Sequence, residues 1–112
     1  MASMITSFAG NGTTSSSTNT PLSIKAILST AGYTGQSALI QLIIQPTGAG
    51  NLVITSNASA TAETDGYLLT TTLTFPTLDM YGSQQSPIQS ANLYLLSATA
   101  SKTFGIIVTS VA

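Results

Sequence analysis

The chain has 112 residues, 43% of them apolar, and only five charged side chains (Lys25, Lys102, Glu63, Asp65 and Asp79), for a net charge of −1. With no Arg it lacks the cations needed to neutralise a run of phosphates, so nucleic acid is not an expected partner. With no His and no Cys it has no disulfide framework, no thiolate and neither of the usual zinc ligands.

In chain order, the opening MASMITSFAGNG has neither the basic start nor the apolar run of a secretory signal. The short segment Ser3–Phe8 leads into GNGTTSSSTNT, residues 10–20, which is turn-rich and has nothing to bury. Residues 1–20 therefore read as an N-terminal segment and flexible arm, either a disordered terminus or one that orders on a neighbouring subunit. Residues 21–112 read as a single β-sandwich domain, the one modest core that this length allows.

Within that domain the pattern is period two. Leu22, Ile24, Ala26 and Leu28 share a face; Ile24–Thr30 is also the best helical candidate, but it is short and suits a strand equally. Ala38–Gln45 is apolar on both faces, as a covered central strand would be. Its apolar part, Ala38–Ile44, is seven residues long and broken by Gln41, far short of the ~20 a membrane helix needs, and no basic amphipathic stretch points to a membrane surface. Leu52–Thr55 is a shorter strand candidate. Tyr67, Leu69, Thr71, Leu73 and Phe75 form one face of a Thr-rich strand, and Leu93–Leu96 is another short candidate. Phe104, Ile106 and Val108 alternate with Thr103, Gly105 and Thr109 in the last strand. The intervening PTGAGN (46–51), the Ser/Ala/Thr run 56–66 and YGSQQSP (81–87) hold the Gly, Pro, Asn and Asp that turns require. Pro76 and Pro87 bound strands because they cannot donate to a ladder. The expected fold is all-β: a single antiparallel β-sandwich or small jelly-roll-like barrel.

Little of this sequence can do chemistry. None of its serines has a His to activate it, and neither lysine sits in a Ser–Lys motif. Glu63 and Asp65, with Asp79, are the only carboxylates available for acid–base work. Glu63 and Asp65 lie in a Ser/Thr/Ala loop without surrounding aromatics, so they read as turn residues rather than a glycosidase pair, which Asp79 could join, or a calcium loop. Tyr33, Tyr67, Tyr81 and Tyr94 suit core or interface anchors better than a sugar-binding platform. The triplets Asn11-Gly12-Thr13 and Asn57-Ala58-Ser59 are chance matches to the glycosylation signal in so Ser- and Thr-rich a chain. The expectation is a protein that is not an enzyme, with no catalytic, cofactor-binding or metal site. A surface built from 16 Ser and 19 Thr with almost no charge has little colloidal protection and suits an assembly better than free solution.

Residues 37–110 run as SALIQLIIQPT, a Gly-Asn turn, NLVITSNASAT, ETDGYLL, TTTLTF and then NLYLLSATASKTFGIIVTSV. This order resembles the small β-sandwich structural proteins, decoration and accessory, of tailed-bacteriophage particles. Asn92, Leu93, Tyr94, Ala98, Ala100 and Phe104–Val108 stand at the closing pair of that pattern. The Pro-Gly pair usual before the Thr-rich strand is missing, since Leu69-Thr70 runs straight on, and Tyr81–Ser90 reads as an insertion. The resemblance implies a virion component assembled in the bacterial host cytoplasm, foremost a capsid decoration or cement protein that binds the outer surface of the head and stabilises the shell. Its implied partners are the major capsid protein or other virion proteins and further copies of itself, with trimers favoured around local symmetry axes. It implies no cofactor and no catalytic residues. A tail or head-fibre accessory protein, a carbohydrate-binding or adhesin module using the tyrosines, and a self-assembling pilin-like or coat-like subunit remain the alternatives.

Overall fold

A computed structural model of the chain describes residues 5–33, 38–47, 50–70 and 77–111. The alternating segments pair as two four-stranded antiparallel sheets, so the protein is mostly β. In the first sheet, β1 (Ile5–Thr13) pairs with β8 (Thr103–Val111), β8 with β3 (Ala38–Pro46), and β3 with β6 (Leu78–Tyr81). In the second, β2 (Leu22–Ser23) pairs with β7 (Tyr94–Leu96), β7 with β4 (Leu52–Thr55), and β4 with β5 (Tyr67–Leu69). The expected continuation of the Thr-rich strand through Thr71, Leu73 and Phe75 lies outside the described residues.

The period-two pattern does what it should: one side of each long strand meets the other sheet. Phe104, Ile106 and Val108 of β8 and Leu39, Leu42 and Ile44 of β3 pack with Leu52, Ile54, Leu69 and Leu95 of the second sheet. Phe104, Leu42, Ile44 and Leu95 are completely sequestered from water. Each such side chain contributes about 1.5–3 kcal/mol by burial. The expectation that β3 is central holds, but only one of its faces is fully buried. Ile40, Gln41 and Ile43 are half-exposed, and a register shift between Leu39 and Gln41 marks a bulge.

Three elements differ from the sequence expectation. The first is a helix, α1 (Ile24–Ala31), where period two reads as a strand. Its buried residues are Ile24, Ile27 and Leu28, the i, i+3, i+4 stripe of a helix rather than alternate positions. Ser23 caps it by accepting a hydrogen bond from the Ala26 amide at 3.2 Å. Gly32 ends it at φ 106°, a left-handed conformation that glycine takes without strain. The helix lies beside β1 and β2 and adds its apolar stripe to the core between the sheets.

The second is β1. Residues 5–13, expected as a terminal segment running into a flexible arm, instead pair with β8 residue for residue, from Ile5 with Val111 to Thr13 with Thr103. The glycines that suggest a turn have another cause. A Cβ on Gly12 would stand 2.7 Å from the Phe104 ring and 2.8 Å from Ile27 Cγ2, so only glycine lets β1 lie against the core and α1 at that point. The third is the closing pair of the resemblance. β7 and β8 do not pair; they lie in different sheets, and β8 instead joins β1 to β3. Leu78–Tyr81, unassigned in the sequence, forms the edge strand β6, with Leu78 and Met80 packed on the core.

Candidate docking face

The second sheet is partly covered on its outer side, where Ala60, from the loop after β4, packs on Val53 and Leu96. The first sheet is not covered by any described element. Its outer side runs in rows fixed by the register: Ser7, Thr109, Gln41 and Tyr81 in one, and Ala9, Ile107, Ile43 and Asp79 in the next. Beyond them stand Asn11, Gly105 and Gln45, then Thr13 and Thr103. Ile107 is 42% exposed in the middle of this face, and Ile5 at one corner is 66% exposed. Among the described residues no helix or strand lies across it.

The chemistry of the face is almost entirely apolar, hydroxyl and amide. Its one charged group is Asp79, and that carboxylate accepts a hydrogen bond from the Tyr81 hydroxyl at 2.8 Å. The hydrogen bond to Asp79, reinforced by its negative charge, raises the Tyr81 hydroxyl above its ordinary pKa of 10.0. A surface of this kind gives up little hydration when it is covered, because the expensive step in burying a surface is stripping charges of water.

Of the carboxylates considered for catalysis, Asp79 is on this face, while Glu63 and Asp65 lie off it and are engaged structurally. Asp65 sits in a 3₁₀ turn, where Oδ2 accepts hydrogen bonds from the Thr61 and Ala62 amides at 2.8 and 3.0 Å. Glu63 accepts a weak hydrogen bond from the Asn51 side chain at 3.5 Å. Asp79 is in the other sheet, and among the described residues no three acidic, His or Cys side chains gather as a metal site. Lys102 is buried in the crossing between the sheets, where its backbone amide donates to Thr14 Oγ1 at 2.9 Å and its ammonium donates to the Thr47 carbonyl. Burial lowers its pKa from 10.5.

The tyrosines are dispersed. Tyr33 packs its ring against Phe8, with centroids 5.8 Å apart, and Tyr94 is half-buried in β7. Tyr67 and Tyr81 are exposed, one at the edge of each sheet. Among the described residues no two tyrosine rings are in contact. Sequence reading does not find the face, although one signal for it exists. In FGIIV the inward set Phe104, Ile106 and Val108 leaves Ile107 pointing outward, a large apolar residue in a slot that alternation assigns to polar ones.

No helix among the described residues is long and apolar enough to cross a membrane. In comparisons with known proteins the chain matches no family model, no curated protein and no solved structure.

Proposed function

We propose that the chain is a virion structural protein, a capsid decoration protein that lies on the outer surface of a tailed-bacteriophage head and cements its subunits. The observation that carries this reading is the outer face of the first sheet, which no described helix or strand crosses, with Ile107 at its centre and Asp79 as its one charge. Further support comes from the strand order. Among the described residues eight strands divide four and four, and the order β1-β8-β3-β6 over β2-β7-β4-β5 takes the chain from one sheet to the other at six of the seven steps between them. This order supports reading the sandwich as a jelly roll, an arrangement used by viral capsid domains among others, although a fold alone does not assign a function.

The size of the face also suits a lattice. Four strands about 4.8 Å apart, with residues about 3.4 Å apart along each, span an area on the order of 500 Å². A standard specific interface buries about 800 Å² on each partner. One copy therefore docks weakly. Repetition over a shell, with several copies held together, turns weak contacts into a stable coat. A protein that binds the assembled shell and not its separated parts stabilises the assembly by mass action.

The experiment is to purify particles with and without the protein and to heat both. Retention at a fixed ratio to the capsid subunit and a higher disruption temperature support the proposal. Particles that assemble and disrupt identically without it refute the cementing role.

A further inference from the structure

We infer that β1 is a self-pairing edge, and that two copies of this chain join antiparallel through it into one continuous eight-stranded sheet. Edge strands expose unpaired backbone N–H and C=O groups, and soluble proteins protect them by brevity, charge, proline or bulges. The other described edges follow that rule. β2 has two residues, β5 has three, and β6 has four and carries Asp79. β1 has nine residues, ITSFAGNGT, with no charge, no proline and an unbroken register against β8.

Its other side has no strand partner among the described residues. Alternate residues of an antiparallel edge strand point both backbone groups away from the sheet, so about four or five residues of β1 present them to a neighbour. At the far end Gly12 leans on α1, while Ile5, Thr6, Ser7 and Ala9 are exposed. Pairing centred on Ser7 sets exposed Ile5 across from Ala9 of the second copy on the outer face, and Ala9 across from its Ile5.

The occupant is a second copy for reasons of symmetry and charge. A twofold pair brings identical groups together at its axis, which a charged strand opposes and an uncharged one permits. A closed trimer built through these sheet edges needs β1 to meet a different edge. The candidate in the same sheet is β6, which is shorter and would bring the Asp79 carboxylate beside a strand with no cation to receive it. Of these two arrangements, the edges favour the pair over the trimer expected from lattice symmetry. The pair also joins two outer faces into one of about 1,000 Å², more than the roughly 800 Å² per partner of a standard interface. In that respect it extends the docking reading, but it stands on the strand alone and is tested without any particle.

The test is sedimentation equilibrium of the isolated protein and of Ser7→Lys and Ser7→Asp. Wild type is expected to be a concentration-dependent dimer. Each variant alone should dimerise about fivefold more weakly, because like charges meet at the axis, and a mixture of the two should recover one-to-one heterodimers. A wild-type monomer or trimer overturns the inference, as does a dimer indifferent to both substitutions. Should the variants fail to fold, hydrogen exchange on wild type decides. Amides of Ile5–Ala9 that lose protection on dilution support the pairing, and protection independent of concentration contradicts it.

Discussion

Tyr81 and Asp79 are next-nearest neighbours in β6, so the pleat sets them on the same side and their hydrogen bond follows from strand geometry alone. The bond holds the phenol proton, which raises the pKa of Tyr81 in the folded protein above that in the unfolded chain. Its contribution to stability is therefore present below pH 10 and is lost as pH rises through the raised folded value. Titration of the Tyr81 ring followed by NMR should show a midpoint above 10, and Asp79→Asn should bring it back toward 10. Equal midpoints in the two proteins would mean that the bond is not formed in solution. Gly12 shows the opposite case, a residue whose role its local sequence disguises. Asn-Gly-Thr looks like a turn, yet the glycine is there because Phe104 and Ile27 leave no room for a Cβ.

At the scale of elements, α1 is where period two and period 3.6 compete. LSIKAIL satisfies both, and the end signals decide it: a Ser at the N-cap, and a Gly whose amide bonds back to Leu28 and Ser29. Ser23→Ala should cost about 1 kcal/mol, or roughly 4–5 °C in Tm for a domain of this size, read from a thermal melt. A loss too small to measure would show that packing of Ile24, Ile27 and Leu28 holds the helix without its cap. The strands legible in the sequence were β8, from its long alternation, and β3, from an apolar run on both faces, together with short β4 and β7. β1 was hidden because its inner face carries one large apolar residue, Phe8, followed by Gly10 and Gly12, too few to register as alternation. β6 was hidden because four residues, LDMY, give alternation too little length to register. Strand pairing was not legible at all: the sequence places NLYLL and FGIIV side by side, and the crossing through Lys102 sends them to opposite sheets.

For the whole molecule, the absence of charge that composition announces becomes a matter of place. Glu63 and Asp65 are at one turn, Lys102 is inside, and the first sheet keeps a broad face with a single carboxylate already engaged by a tyrosine. Covering that face is inexpensive, and a charge placed at its centre should make covering it costly while leaving the core untouched. The most direct measurement is the number of copies that stripped particles take up from wild type and from Ile107→Lys at equal concentration. The account predicts a fixed, saturable ratio for wild type and a loss of more than tenfold in affinity for a variant that melts normally, since a buried unpaired charge costs several kcal/mol. Equal uptake of the two proteins would contradict docking through this face.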